Sequence, residues 1–376
     1  MNDVLIIGGG YGGLAAACKL AQRRHPPPVT LIDRRTTSDA LPNLPDVASN
    51  RLRPEHCRCP LPALAKAHGF TFINDEVTGV DLANRVVAGK NDRYSYSYLV
   101  IAAGAQSFFH GQDQFRDASW VLDSVADAAA LRDRLGRRDY DAVVVVGGGY
   151  TGVEIATHTH AGYREKGAET PRILLAEIQP AILANMPDAF RTYTEKNLDR
   201  CGIEICTETS VTRAENGTVE LSTGETVANA VLIWTAGVRP AAFLEGLPVK
   251  KNAQQRLEVD TFLRVDETCY AVGDAACFDN DGGALRMAVQ FSRAEGERAA
   301  ENILRQIAAK PLRPYEPMDM GLVIPMANGR SVGEIFGKFV TGRLPTALHY
   351  FMSVYTARGL RTQLGLTGDL IRRRGR

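Results

Sequence analysis

The chain has 376 residues, of which 45% are hydrophobic and 23% charged, and its formal net charge is +1. This length suits two or three domains, the composition is that of a globular protein, and the charge gives no reason to expect nucleic acid as a partner. No apolar run of about 18 residues could span a bilayer, and no signal peptide precedes the first predicted strand. We therefore expect a cytoplasmic chain.

The seven cysteines are scattered along the chain, which is typical of reduced thiols in a reducing compartment. Cys57-Arg58-Cys59 has the wrong spacing for a zinc site and lacks a second pair. The sequence therefore predicts no metal site.

A glycine-rich loop follows the first predicted strand. Val4 to Ile7 runs directly into Gly8 to Gly13, which has the spacing Gly-x-Gly-x-x-Gly. In this pattern the first glycine turns the chain, the second lets a pyrophosphate approach bare backbone, and the third lets the next helix pack closely. A helix is predicted from Leu14 to Arg23. The next strand, Val29 to Asp33, ends on a carboxylate that can accept hydrogen bonds from a ribose.

The segment from Thr36 to Pro62 is rich in proline and polar residues, and we expect it to be mainly a loop that passes over a cofactor. After it, Ala102-Ala103-Gly104-Ala105 places small residues where backbone can pass beside a ligand, although a tight turn is the alternative. The strands predicted between these segments are Phe70 to Ile73, Glu76 to Val80, a hairpin from Arg85 to Tyr98, and Tyr98 to Ala102.

The strand and glycine loop recur about 140 residues later. Val143 to Val146 precedes Gly147 to Gly152, and the next predicted strand, Ile173 to Ala176, is followed by Glu177. A carboxylate there would repel a 2′-phosphate and so favours NADH over NADPH. Two loops imply two dinucleotides, most economically a flavin and a nicotinamide. The other elements predicted here are helices from Ser124 to Leu135 and Asp188 to Cys201, antiparallel strands from Glu204 to Thr235, and a turn from Trp234 to Pro240.

The sequence then predicts a return to the first domain, with strands at Leu257 to Val259 and Cys269 to Val272. Asp274 follows the second of these strands and can accept a hydrogen bond from a cofactor hydroxyl. A long helix is predicted from Ala288 to Ala308, with Gln290 near its start. Its N-terminus could stabilise negative charge on a reduced flavin ring.

The end of the chain differs in character. A predicted helix places an apolar stripe on one side, Gly359 ends it, and the sequence beyond residue 340 is basic. Such a helix can lie in a membrane surface, or it can pack on its own core or on a second copy in a homodimer. The stripe consists of Leu344, Ala347, Leu348, Phe351, Met352 and Tyr355, and the basic residues are Arg343, Arg358, Arg361, Arg372, Arg373, Arg374 and Arg376.

Taken together, these segments resemble the two-dinucleotide flavoproteins that include the disulfide reductases. More narrowly the chain is similar to the type II NADH dehydrogenases, which are NADH:quinone oxidoreductases, and to their apoptosis-inducing-factor-like relatives. The matching segments are Gly8 to Leu14, Val29 to Arg34, Tyr98 to Ala105 with Ser107 to Phe109, Val145 to Glu154, Thr235 to Arg239, and Ala271 to Asp274.

The resemblance implies an α/β fold with two Rossmann-like domains, the second inserted in the first, and a short C-terminal segment. It assigns FAD to residues 1–112 and 255–325, NADH as substrate to residues 113–254, and membrane docking to residues 326–376. The implied FAD residues are Gly8, Gly10, Tyr11, Gly12, Gly13, Asp33, Arg34, Val77, Ala103, Gly104, Asp274 and Gln290. The implied NADH residues are Gly147, Gly149, Tyr150, Thr151, Gly152, Glu177, Ala236 and Gly237, with Glu154 as the catalytic candidate.

The sequence departs from the family pattern near the acceptor side. Gln290 matches a family glutamine, but Ala294 and Glu295 stand before Gly296 where a glutamine pair is expected. The loop Thr36 to Ala40 lacks the aromatic residues that the family tends to carry, and the C-terminal segment is short.

The resemblance predicts a relay in which NADH reduces the flavin and two electrons then pass to an acceptor, for which the family implies a quinone at the cytoplasmic face of a membrane. Disulfide and sulfide:quinone reductases are disfavoured because the expected cysteines are missing. The alternatives are a soluble NADH-dependent flavoprotein reductase acting on oxygen, a redox protein or a metabolite, and an NADH-sensing interaction protein.

Overall fold

The computed structural model describes residues 2–280 and 283–374, so that Arg376 of the basic tail lies outside the described residues. Its helices are α1 (Tyr11–Ala21), α2 (Leu44–Ala48), α3 (Leu61–His68), α4 (Val125–Arg137), α5 (Tyr150–Arg164), α6 (Asp188–Arg200), α7 (Val289–Ile307), α8 (Arg343–Thr356) and α9 (Leu360–Arg374).

The strands are numbered in chain order. They are β1 (Val4–Ile7), β2 (Val29–Asp33), β3 (Thr37–Asp39), β4 (Arg58–Pro60), β5 (Thr71–Asn74), β6 (Val77–Asp81), β7 (Val86–Gly89), β8 (Arg93–Ser95), β9 (Tyr98–Ile101), β10 (Ala105–Ser107), β11 (Ala142–Val146), β12 (Arg172–Ala176), β13 (Ile203–Cys206), β14 (Val211–Glu215), β15 (Thr218–Leu221), β16 (Thr226–Val227), β17 (Ala230–Trp234), β18 (Val238–Pro240), β19 (Leu257–Glu258), β20 (Cys269–Ala271), β21 (Ala276–Cys277), β22 (Gly321–Ile324), β23 (Ser331–Ile335) and β24 (Lys338–Gly342).

The described chain divides into two compact units, and the division differs from the predicted domain boundaries. Residues 39–58 and the chain from Met320 onwards belong to the second unit, and residues 238–254 belong to the first. The first unit comprises the chain up to Ser38, Cys59–Gln106 and Val238–Asp319. The second comprises Asp39–Arg58, Ser107–Gly237 and the chain from Met320.

The first unit is built on a parallel sheet with strand order β20-β9-β1-β2-β5. Successive side chains of a strand point to opposite faces, and here both faces are covered. Val4 and Ile6 belong to one buried cluster. Leu5 and Ile7 belong to another. The predicted α/β class with Rossmann-like parallel sheets is confirmed.

Helices α1 and α7 of the first unit cross in close contact. A Cβ on Gly296 of α7 would overlap the carbonyl oxygen of Gly12 in α1. The predicted helix from Leu14 begins earlier, at Tyr11, so Gly12 and Gly13 lie within its first turn. Glycine at these positions therefore serves packing as well as ligand access.

The second unit also has a parallel sheet, with order β13-β12-β11-β17. The prediction that the segment from Glu204 to Thr235 is antiparallel throughout was wrong. β13 pairs in parallel with β12, and β17 pairs in parallel with β11. Ala230–Trp234 is buried at every position, as expected of a central parallel strand, and only β14 to β16 form the antiparallel part.

The segment predicted as a loop over the cofactor, Thr36 to Pro62, contains α2. Leu44 and Val47 of this short helix are buried in the same cluster as residues of α4 and α5. Pro45 occupies the first helical turn, where its missing N–H costs no hydrogen bond. The prolines suggested a loop here, but Pro45 stands at the start of a helix.

The C-terminal part of the second unit consists of an antiparallel sheet, β22-β23-β24, followed by α8 and α9. The predicted helix that ends before Gly359 corresponds to α8. The second helix, α9, was not predicted. Among the described residues, no helix is long and apolar enough to cross a membrane.

Candidate functional site

In the first unit, the predicted residues gather at the carboxyl ends of parallel strands. Gly8 follows β1, Asp33 ends β2, Ala103 and Gly104 follow β9, and Asp274 follows β20. Because these strands are parallel neighbours, their carboxyl ends share one edge of the sheet. That edge is where open α/β sheets bind ligands.

The backbone of the first glycine loop has the shape that a diphosphate requires. Gly8 has φ +105°, and a Cβ there would overlap the carbonyl oxygen of Ala102. A Cβ on Gly13 would overlap the carbonyl oxygen of Gly8. Gly10 is the N-cap of α1, and a Cβ there would meet no described atom within 4 Å. The N-terminus of α1 is thus open to an anion.

The carboxylate of Asp33 is held by the backbone. One oxygen accepts a hydrogen bond from the Gly9 N–H at 2.6 Å, and the other accepts from the Arg35 N–H at 2.7 Å. Each carboxylate oxygen can accept more than one hydrogen bond, so capacity for a ribose hydroxyl remains. Nearby, Arg34 lies 3.8 Å from Glu76 in an exposed ion pair, and Val77 begins β6.

Two acidic side chains, the partly exposed Asp274 and the buried Glu295, lie around the turn after β20. Burial raises the pKa of Asp274, and Arg256 opposes that rise. Glu295 is only 3% exposed and accepts a hydrogen bond from the Gly273 N–H at 2.6 Å. Burial raises its pKa to about 7, against the opposing effects of the Gly273 N–H and Arg256.

Glu295, which stands where the family has a glutamine, therefore holds the turn that carries Asp274 through this hydrogen bond. Gln290, which matches the family glutamine, lies in the first turn of α7 and donates a hydrogen bond to Asp319 at 3.1 Å.

We expect Glu295→Gln to reduce the pH dependence of stability. The folded chain binds the Glu295 proton more tightly than the unfolded chain, whose carboxyl has the ordinary value of 4.5. Stability is thus lost as pH rises from 4.5 to about 7. Gln cannot ionise, so the variant should avoid a loss of order 1–3 kcal/mol between pH 5.5 and 8.

Thermal unfolding of both proteins across that pH range measures this difference. The matched control is Glu297→Gln, because Glu297 lies on the same helix but is exposed. Parallel curves for the wild type and Glu295→Gln would contradict the assignment.

The second glycine loop repeats the geometry of the first. Gly147 has φ +104°, and a Cβ on Gly152 would overlap the Gly147 carbonyl oxygen. Gly149 is the N-cap of α5, with no described atom within 4 Å of a Cβ placed on it. Glu177 accepts a hydrogen bond from the Gly148 N–H at 2.5 Å, as Asp33 does from Gly9. The two loops are therefore equivalent in structure as well as in sequence.

Other predicted residues of the second unit lie close to this loop. Tyr150 and Thr151 form the first turn of α5 and are exposed. Ala236 and Gly237 follow β17, the strand that neighbours β11. His110 Nε2 donates a hydrogen bond to the Ala236 carbonyl oxygen at 2.7 Å, because a carbonyl oxygen can only accept. Gly237 has φ +106°, a conformation that favours glycine.

Glu154 lies one turn further along α5 and is partly exposed. Burial of its carboxyl group, followed by the nearby charge of Asp46, raises its pKa well above the ordinary range. A protonated carboxyl can donate a hydrogen bond or a proton, whereas a solvated surface carboxylate cannot.

The sequence analysis named Glu295 only as a departure from the family pattern, and it did not single out Asp46. Asp46 lies in the segment predicted as a loop, and it is 1% exposed. The available signal was the sequence Leu44-Pro45-Asp46-Val47-Ala48, in which a proline and apolar residues can begin a short helix.

Residues 2–297 match the model of the family described as "Pyridine nucleotide-disulphide oxidoreductase". The chain belongs to this family. It is 31% identical over 329 residues to an NADH dehydrogenase-like protein of Mycobacterium tuberculosis, covering 83% of this chain and 82% of that protein. It is 26% identical to a type II NADH:quinone oxidoreductase of Haemophilus influenzae, covering 90% of this chain and 88% of that one.

Among solved structures, this pyridine nucleotide-disulphide oxidoreductase is similar to NDH2 from Plasmodium falciparum in complex with NADH. The TM-score is 0.88 at 16% identity, over 99% of this chain and 98% of that one. At this identity the likeness concerns the fold. The predicted resemblance to the type II NADH dehydrogenases is confirmed, and the chain is an oxidoreductase.

Proposed function

We propose that this chain is an FAD-containing NADH dehydrogenase that passes two electrons to a quinone. The observation that carries the proposal is the duplicated phosphate loop, each copy of which has an open helix N-terminus and a backbone-anchored carboxylate. Bound flavin supplies the redox chemistry, because it accepts a hydride and holds two electrons until an acceptor takes them.

The first unit is the proposed FAD site. The N-terminus of α1 begins at Gly10, which has no side chain, and therefore suits a pyrophosphate. The carboxylate of Asp33 suits the adenosine ribose. Burial raises the pKa of Asp274, and its carboxyl group suits a hydrogen bond to a hydroxyl group of the cofactor. The proposed FAD residues are Gly8, Gly10, Tyr11, Gly12, Gly13, Asp33, Arg34, Val77, Ala103, Gly104, Asp274 and Gln290.

The second unit is the proposed NADH site, with the same chemistry at Gly149 and Glu177. Burial and the charge of Asp46 raise the pKa of Glu154, which lies on the helix that starts at this loop, and Glu154 is the group proposed to handle the proton of the reaction. The proposed NADH residues are Gly147, Gly149, Tyr150, Thr151, Gly152, Glu177, Ala236 and Gly237.

Anaerobic titration with NADH, followed at flavin wavelengths, tests the first half of the reaction. Reoxidation by short-chain quinones, oxygen and dithiol substrates then tests the second. Rapid bleaching with fast recovery on quinone is expected. Recovery of the flavin absorbance with oxygen or a dithiol alone would mean that the acceptor is not a quinone. A single stoichiometric bleaching without recovery on any acceptor would favour an NADH sensor, and a colourless protein that takes up no flavin would refute the proposal.

We further propose that α8 and α9 dock on the surface of a membrane. A helix packed on a protein core buries its apolar side, but α8 exposes apolar side chains. Ser353 and Thr356 are buried, while Phe351 and Tyr355 are 63% and 62% exposed. On α9, Leu364 is 63% exposed. The face is completed by Leu344, Leu360 and Ile371, which are also exposed.

Exposed arginines border this apolar face, which favours lipid head groups over a second copy of the chain. Arg343 begins α8, while Arg361 and Arg372 lie on α9, and all three are exposed. An amphipathic helix with basic residues beside its apolar side binds at the lipid interface. Because the cysteines are free thiols, we place this membrane surface on the cytoplasmic side.

Replacing Leu344, Phe351 and Tyr355 together by serine should abolish sedimentation with liposomes and leave flavin reduction by NADH unchanged. The substituted side chains are exposed, so little folding energy is at stake. Met318→Ser is the matched control, since Met318 is 75% exposed and lies outside this face. Unchanged sedimentation would contradict membrane docking. A wild-type dimer that becomes monomeric in the triple variant, without liposome binding by either, would make the face a homodimer contact.

A further inference from the structure

An open cavity of about 560 Å³ lies in the second unit, between α9 and the chain at residues 53–56. Its wall combines basic side chains, exposed leucines and two glycines of α9. Pockets that bind small molecules commonly measure roughly 300–1,000 Å³, so this cavity is large enough for a ligand. None of the residues that line it belongs to the proposed FAD or NADH sites.

One carboxylate joins the two sides of this cavity. Asp369 of α9 is 7% exposed and accepts hydrogen bonds from the Arg53 N–H at 3.1 Å, from Arg53 Nε at 2.9 Å and from His56 Nδ1 at 2.7 Å. Burial raises the pKa of Asp369, but the hydrogen bonds from His56 and Arg53 lower it below its ordinary value. Asp369 is therefore an anion near neutral pH, and its three hydrogen bonds hold α9 against residues 53–56.

Two glycines of α9 determine the shape of the cavity. Gly365 and Gly368 are three positions apart, so they lie on the same face of the helix. A Cβ on Gly365 would lie 2.5 Å from the His56 ring, so the helix and this ring are in close contact. A Cβ on Gly368 would meet no described atom within 4 Å. The space beside Gly368 is therefore where a ligand, or a larger side chain, fits.

The positive charge around this space is only partly balanced. Asp369 pairs with Arg53 through Nε, and the two terminal nitrogens of Arg53 donate no hydrogen bond to another described residue. Arg361 and Arg372 also line the cavity and are exposed, and neither forms an ion pair with a carboxylate in the described part of the chain. Guanidinium groups bind phosphate oxygens through paired N–H donors. The cavity therefore suits a phosphate group.

Apolar side chains beside these arginines favour an amphiphilic ligand over a free phosphate. Leu360 and Leu364 line the cavity, are 71% and 63% exposed, and belong to the apolar face of α8 and α9. Inorganic phosphate would leave both leucines in water, whereas a phospholipid brings its phosphate to the arginines and its acyl chains to the leucines. A head group with an ammonium would place a second cation near the guanidinium groups, which is unfavourable.

We infer that this cavity binds the head group of an anionic phospholipid, with the phosphate diester held by Arg53, Arg361 and Arg372. This inference rests on the proposed docking of α8 and α9 on a membrane, and it assigns the class of lipid that the docked chain prefers. Guanidinium groups at fixed positions select a ligand by geometry as well as by charge. The preference should therefore exceed what a negatively charged surface alone provides.

Sedimentation of the holoenzyme with two kinds of liposome tests this inference. One kind contains phosphatidylcholine alone, and the other also contains phosphatidylglycerol, both in about 0.15 M salt, where charges more than about 8 Å apart are largely screened. The wild type should bind the anionic liposomes about 10-fold more tightly. Gly368→Leu fills the space for the head group and should reduce this ratio to about 2. Its flavin content and unfolding temperature should equal those of the wild type.

Gly136→Leu is the matched control, because Gly136 lies on α4, outside this cavity, and a Cβ there would also meet no described atom within 4 Å. Its ratio should equal that of the wild type. Arg361→Gln and Arg343→Gln form a second pair, since each removes one exposed arginine from the same proposed membrane face, but only Arg361 lines the cavity. Arg361→Gln should lower the ratio about fivefold, and Arg343→Gln clearly less. This second pair decides the matter if Gly368→Leu does not fold.

Equal losses in Arg361→Gln and Arg343→Gln, or a wild-type ratio in a folded Gly368→Leu, would overturn this inference, because diffuse attraction would then explain the binding. Stabilisation of the wild type by inorganic phosphate that Gly368→Leu abolishes, without a preference between the liposomes, would make this a free-phosphate site and would also overturn it. Failure of the proposed membrane docking has a different signature, since the wild type then sediments with neither kind of liposome.

Discussion

Gly149→Ala should yield a folded flavoprotein that NADH reduces only at much higher concentrations than the wild type needs. Gly149 has φ −72°, which alanine adopts without strain. Among the described residues no atom lies within 4 Å of the added Cβ, so folding should be unaffected. The methyl group would, however, stand at the N-cap of α5, where the proposed diphosphate must approach backbone N–H groups. We expect NADH affinity to fall roughly 10- to 100-fold.

Stopped-flow flavin reduction over a range of NADH concentrations measures this loss. The first loop offers a matched variant, because Gly10 is the N-cap of α1 and is equally open. Gly10→Ala should lower the flavin content of the purified protein instead. Gly152→Ala should fail to fold, since its Cβ would overlap the Gly147 carbonyl oxygen. Wild-type NADH dependence in Gly149→Ala would mean that the dinucleotide does not approach this loop.

The sequence predicted these two loops well because their requirements are local. The turn at Gly8, the close packing at Gly13 and the carboxylate that ends β2 each depend on residue type and short spacing, and the same holds for Gly147, Gly152 and Glu177. The strands that flank them are uniformly apolar, which is typical of parallel strands covered on both faces. The structure places these residues as the patterns indicate.

Other features depend on contacts that no short pattern encodes. The α2 segment resembled a loop because its prolines and polar residues show no periodicity, and its burial comes from packing with α4 and α5. Glu295 looked like a deviation from a family motif, although it hydrogen-bonds the turn after β20. The apolar stripe of α8 was evident from its period. Whether the stripe was buried or exposed could not be derived from that period, and the structure shows that its polar side faces inward.

Glu177→Gln should greatly weaken the preference for NADH over NADPH. Glu177 accepts hydrogen bonds from the Gly148 N–H at 2.5 Å and the Gln179 N–H at 2.8 Å, so its charge is fixed at the end of β12. A 2′-phosphate bound on the same ribose would be repelled by that fixed charge. Gln keeps the shape and an acceptor oxygen but removes the charge. We expect the NADH/NADPH ratio of kcat/KM to fall roughly 10- to 100-fold, mainly because NADPH improves.

Adding Gln179→Arg to this variant should extend the change, because Gln179 is exposed beside Glu177 and a guanidinium there can pair with a phosphate. Glu208→Gln is the matched control. It removes the same charge from an exposed residue whose N–H is bonded to the Gln179 carbonyl at 3.1 Å. An equal loss of preference in this control would attribute selectivity to the overall charge around the site. A loss confined to Glu177→Gln would attribute it to one carboxylate, held by the backbone where the ribose is proposed to bind.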